Sequence, residues 1–132
     1  MTAASITILH YALGNIRRIN VAIVASSVDG TITATALPAF QGRLLSLHTN
    51  PGATAPTDQY DITLVDGDGL DRLQGVGANR HTTNSEQVAV VYSGTSVSPP
   101  VSSDETLTLT FANTSVNSAI IVLNLYYSLG GP

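Results

Sequence analysis

The sequence predicts an all-β fold, an antiparallel β-sandwich of about eight strands, with jelly-roll connections one of the orders that suit it. Three observations carry this expectation. Apolar and polar residues alternate with a period of two in short runs, most cleanly over Thr106-Leu107-Thr108-Leu109-Thr110-Phe111. The apolar residues are mostly Val, Ile, Leu and Ala interleaved with Thr and Ser, and β-branched side chains lose least freedom on a pleated sheet. Turn residues separate the runs, and no run has the 3.6-residue period of an amphipathic helix.

The first run, Ser5 to His10, alternates and reads as a strand, within a segment 1–14 that is also a candidate extended N-terminal arm. Arg17 to Ala25 places Ile19, Val21 and Ile23 on one side and Arg18, Asn20 and Ala22 on the other. Asp29-Gly30 tolerates the positive φ of a tight turn, which predicts a hairpin into a strand over Thr31 to Leu37. Pro38 closes that strand, and Gly42 to Thr49 is the next, followed by a Pro- and Gly-containing loop over Asn50 to Asp58.

Tyr60 to Val65 resumes the alternation, with Tyr60, Ile62 and Leu64 together. The glycine-rich stretch Asp66 to Ser85 reads as an excursion between strands, with Leu70 to Gly75 as about one helical turn. Glu86 to Ser93 is a strand, Gly94 to Asp104 an extended solvent-facing loop, and Leu107 to Tyr127 a final hairpin turned by Asn113 to Ser118. Along Ala119 to Leu129, Ile121, Leu123 and Leu125 share one face.

A length of 132 residues suits a single domain spanning 1–132, and 43% hydrophobic against 11% charged residues suits a packed core. The net charge is -4 and all five basic residues are Arg. So few cations do not match the phosphate neutralisation that drives nucleic-acid binding. No apolar run approaches the roughly 20 residues of a membrane span, and the N-terminus lacks the basic region of a secretory signal. With no cysteine, disulfides and thiolate chemistry are excluded.

Asp66, Asp68 and Asp71 crowd three carboxylates into a glycine-rich turn, a composition that can hold Ca²⁺. Gly69 comes too early for an EF-hand loop and no Glu follows where one is needed, so a turn whose Asp side chains bond nearby backbone is the preferred reading. His10, His48 and His81 lack the close spacing of a metal site. Tyr92-Ser93-Gly94 lacks the first Gly of a nucleophile elbow, and no HExxH or phosphate loop occurs. Hence no catalytic, cofactor or metal residues are assigned, and no enzyme activity is expected. Asn113-Thr114-Ser115 matches a glycosylation sequon and reads as a turn. Of Tyr126 and Tyr127, one should point inward and one outward.

The stretch Asn50 to Leu64, continuing through Asp66-Gly67-Asp68-Gly69-Leu70-Asp71 and Gly75-Val76-Gly77-Ala78-Asn79-Arg80, resembles small proteins encoded among the virion genes of tailed bacteriophages, similar to head decoration or cement proteins. That resemblance covers roughly the middle third of the chain and implies a virion structural protein on the head surface, made in the host bacterial cytoplasm. It implies the major capsid protein and further copies of the chain as partners, the copies in trimers at three-fold positions of the shell. Met1 to Tyr11 and Gly67 to Thr83 are the expected contact elements. A tail or baseplate subunit and a carbohydrate-binding β-sandwich module are the competing readings.

Overall fold

In the computed structural model, which describes residues 3–129, nine strands form two antiparallel sheets. They are β1 (Ser5–Tyr11), β2 (Ile16–Val24), β3 (Thr35–Ala36), β4 (Gly42–Pro51), β5 (Asp61–Val65), β6 (Glu86–Ala89), β7 (Pro100–Val101), β8 (Thr108–Ala112) and β9 (Ile120–Ser128). One sheet runs β1-β2-β9-β4-β6, with β7 also on β4, and the other runs β3-β8-β5. The expected all-β sandwich is what forms. Among the described residues no helix is long and apolar enough to cross a membrane.

The pairing is nested. Outermost is β2 with β9, then β3 with β8, then β4 with β6 and β7. Innermost, β5 and Tyr60 beside it bridge the excursion, through Tyr60 with Arg80 and Val65 with Asp71. Successive rungs fall into alternate sheets, so this long ladder wraps around a core and brings β9 beside β4 and β8 beside β5. Both wrapped contacts are antiparallel, and β2, β4, β5, β8 and β9 each bury one face between the sheets.

Inside lie Ile19, Val21 and Ile23 from β2, Ile121, Leu123, Leu125 and Tyr127 from β9, and Leu44 and Leu47 from β4. Opposite them, Ile62, Leu64 and Leu109 come from the second sheet and Leu73 from the excursion. The period-two reading of these strands therefore matches the buried face. Tyr127 is the inward member of its pair, and Tyr126 lies on the outer face.

Two expected hairpins are absent. Asp29-Gly30 does make a turn, with Gly30 at φ 75°, but β2 pairs with β1 and β9 and not with β3. The local hydrogen bonds explain why. The Val28 amide donates to Ser26 Oγ and the Thr31 amide to Asp29 Oδ1, each at 3.1 Å, while the Gly30 amide donates to the Ser26 carbonyl. This is a corner that carries the chain from one sheet to the other, and the strand expected over Thr31 to Leu37 shrinks to β3, although Ile32 and Leu37 remain buried. Likewise Asn113 to Ser118 crosses between sheets, so β8 and β9 are no hairpin.

The loop expected over Gly94 to Asp104 is partly strand. Leu44 donates to the Pro99 carbonyl and Val90 to the Leu45 carbonyl, so β6 and β7 line up along β4 as one edge interrupted by a protrusion at 91–98. No helical turn forms over Leu70 to Gly75; successive tight turns take its place, with Gln74 donating to the Asp71 carbonyl and Val76 to that of Leu73.

Tyr60 is fully buried, and neither its hydroxyl nor that of Thr49 makes a hydrogen bond of normal geometry, although Thr49 lies near enough to favour the ionised phenol slightly. Burial dominates and pushes the Tyr60 phenol up to about 12. The unfolded chain titrates at 10.0, so this residue's contribution is intact below that pH and is lost as pH rises to about 12. Tyr60→Phe removes an unpaired buried hydroxyl. It is expected to raise the unfolding free energy by about 1 kcal/mol at neutral pH and to flatten the alkaline loss, as read from denaturant unfolding at both pH values.

Candidate docking surface

The acidic turn is built to hold its own backbone. Asp66 Oδ1 accepts from the amides of Asp68 (2.9 Å) and Leu70 (3.0 Å), and Oδ2 pairs with Arg72 Nε at 2.8 Å. The Leu70 amide is the main cause holding the Asp66 carboxyl below the usual range, with Arg72 adding to it. Asp71 Oδ1 accepts from Leu64 and Leu73, and Oδ2 from Gly75. Arg72 also pairs with Glu105 and donates to the Pro100 carbonyl, tying the excursion to the loop before β8.

The three histidines occupy separate places. His10 is on the inner face of β1 opposite Ile19, His48 on the outer face of β4 opposite Asn124, and His81 in a loop where Nδ1 accepts from the Thr83 and Asn84 amides. Among the described residues no group of three or more His, Asp or Glu is placed to hold a metal ion. Asn113 of the sequon sits in the expected turn at φ 60°, bonded to Asp61. Ser93 lies on the 91–98 protrusion.

Exposed apolar groups gather instead at the hairpin that joins β1 and β2. Leu9 is 50% exposed, Tyr11 47%, Leu13 90% and Ile16 57%, and the hairpin links all four. Scattered surface leucines need no explanation, whereas a contiguous cluster marks a contact region. The hairpin is held in place. Gly14 turns it at φ 77°, Arg17 Nε donates to the Gly14 carbonyl, and the Leu129 amide donates to the Asn15 carbonyl beyond the end of β9. Arg18 stacks over the Tyr11 ring at 4.3 Å, which fixes two large side chains on the outer face.

Charge is unevenly placed around this cluster. All nine carboxylate side chains lie between Asp29 and Glu105, so β1, β2, β8 and β9 carry none, while Arg17 and Arg18 sit in β2. In a chain of net charge -4, the adjacent strands β1, β2 and β9 thus form an acid-free, weakly basic edge of the large sheet. From there the outer face of the large sheet continues through the rows Tyr11-Arg18-Tyr126-Ser46 and Leu9-Asn20-Asn124-His48-Gln87. Asn20 donates to Asn124 at 2.9 Å, and the rings of His48 and Tyr126 lie 4.5 Å apart.

Residues 5–11 of the expected arm 1–14 are not free: β1 pairs with β2 along its whole length, and Met1 and Thr2 lie outside the described residues. The excursion Gly67 to Thr83 is occupied in covering β5, through Arg72 to Leu64, Ile62 to Gly77 and Arg80 to Tyr60, although Leu70 stands 62% exposed. Leu13 and Ile16 were not singled out from the sequence. Their signal was there, two large apolar residues flanking Gly14-Asn15 where a turn is usually polar.

One contact makes the β1 edge sensitive to pH. His10 Nε2 and the Tyr127 hydroxyl lie 2.6 Å apart across β2, and burial, with the nearby Arg17 charge, holds the imidazole below its ordinary 6.5. A base kept neutral by folding contributes stability above its unfolded value, and that contribution is lost as pH falls through the lowered one. The melting temperature is expected to be lower at about pH 5 than at about pH 7, with His10→Gln reducing the difference. Comparison with protein-family models, with curated proteins and with solved structures finds no match to this chain, so its function is read from this surface.

Proposed function

We propose that this domain is a structural, protein-binding component of a tailed-phage particle, a decoration or cement protein that docks on the head shell. The observation that carries the proposal is the β1–β2 hairpin, itself free of acidic residues, where Leu9, Tyr11, Leu13 and Ile16 are exposed on a rigidly paired strand and turn. Such a surface loses little conformational entropy on binding, because β1, Arg17 and Leu129 already hold it. Repeated on a symmetric shell, a modest contact of this kind gives tight collective attachment through linked binding. The nested, wrapped ladder is the order expected of a jelly roll, an architecture that capsid proteins share with lectins and cupins, and this adds fold-level analogy only.

Particles of the encoding phage are expected to contain the chain, and purified protein to bind heads that lack it. Leu13→Asp combined with Ile16→Asp, both at exposed positions, is expected to lower head occupancy at least about tenfold with an unchanged circular-dichroism spectrum. Virions without the chain, or occupancy indifferent to the double substitution, would remove the proposal.

A further inference from the structure

We propose that two copies of this chain pair through β1, antiparallel and about a two-fold axis at Ile8, so that the two large sheets become one. A sheet edge is a template for strand addition, since it presents a row of unpaired backbone groups. Three of the four are blocked. The β6 and β7 edge is broken by the 91–98 protrusion and carries Pro99 and Pro100, which have no amide hydrogen to donate. The β3 edge is two residues long, and the β5 edge is covered by the excursion.

β1 has none of these devices. Its seven residues contain no proline and no Asp, Glu, Lys or Arg, and its register with β2 runs without a bulge from Ser5 to Tyr11. Among the described residues it is the one long edge left open.

The pattern of β1 suits its own copy. A two-fold axis at Ile8 sets Ser5 against Tyr11, Ile6 against His10, Thr7 against Leu9 and Ile8 against itself. Antiparallel pairing preserves the alternation of faces, so the half-buried Ile6, Ile8 and His10 of one copy extend the inner layer of the other. Leu9 and Tyr11, about half exposed, meet partner side chains on the outer face. Electrostatics permit the approach, because no carboxylate lies on β1 or β2 although the whole chain carries -4. The contact is closed and isologous, which ends assembly at two copies. It shares Leu9 and Tyr11 with the shell reading but does not rest on it, and Leu13 and Ile16, which test that reading, lie beyond the paired residues.

Sedimentation of the full chain, without heads, tests this. The expected species at concentrations up to about 0.1 mM has twice the 13.7 kDa of one copy. Thr7→Lys with Leu9→Lys, which opposes like charges at two symmetric places, is expected to give the 13.7 kDa species with an unchanged circular-dichroism spectrum. The chain has no cysteine, so a single Ile8→Cys variant gives an unambiguous second readout. Opposed residues in antiparallel strands have Cα atoms about 4.5–5.5 Å apart, within disulfide reach. Mild oxidation is expected to cross-link Ile8→Cys and not Val28→Cys, which is exposed elsewhere. A monomeric or trimeric wild-type chain overturns the proposal, as does a dimer indifferent to the two lysines. Should the lysine variant not fold, an Ile8→Cys chain that does not cross-link overturns it alone.

Discussion

Asp71→Ala is expected to lower the unfolding free energy by about 3 kcal/mol. One carboxylate accepts from Leu64, Leu73 and Gly75, all at 2.9–3.0 Å, and thereby joins β5 to the first turn of the excursion. Leu64 and Leu73 are fully buried, so their amides have no ready replacement for the lost acceptor. The excursion also supplies Leu73 to the core and shields the β5 edge, so loosening it exposes both. Asp71→Asn keeps one carbonyl acceptor, and about 1 kcal/mol is expected there. Urea unfolding separates the two. Calcium added to the wild-type chain is expected to leave its melting temperature unchanged, and a rise would show that the carboxylates do more than bind backbone.

Gly42→Ala is expected to cost about 2–4 kcal/mol. Gly42 opens β4 at φ 138°, a conformation L side chains rarely adopt, and an added Cβ would fall on the Ser128 carbonyl at the end of β9. Ser128 pairs with Arg43 in the ladder between β4 and β9, so the strand start cannot shift without disturbing the wrapped contact. Gly67→Ala makes the control. Space around Gly67 is open, and a change within about 0.5 kcal/mol is expected.

These two sites mark where reading the sequence worked and where it ran out. Alternation identified β1, β2, β5, β8 and β9 because each has one face in the core, and the inward set Ile121, Leu123 and Leu125 follows from that alone. Partners were a different matter. Asp29-Gly30 signals a turn, but whether the turn closes a hairpin or a corner depends on what waits beyond it, here Ser115 and Val116 packed against Gly30. β7 was hidden because Pro99-Pro100 argues for a loop, yet a proline is admissible on an edge and Pro100 pairs there with Arg43.

The acidic turn was legible as a turn, since Asp side chains commonly accept from amides two residues on, as Asp66 does from Asp68. The hairpin cluster was not. Leu9, Tyr11, Leu13 and Ile16 become one patch only once β1 folds back on β2, and the acid-free strands become one edge of the sheet only when β9 joins them. A residue's exposure is a property of the packed sheet, and local periodicity does not carry it.

Hydrogen exchange of backbone amides, compared between the free chain and the chain bound to heads, measures the docking surface directly. The expected gain in protection falls on residues 12–18, beyond the strand that pairs with a second copy. A gain confined to the excursion at 67–83, or to the outer rows around His48 and Asn124, would contradict the assignment of that surface.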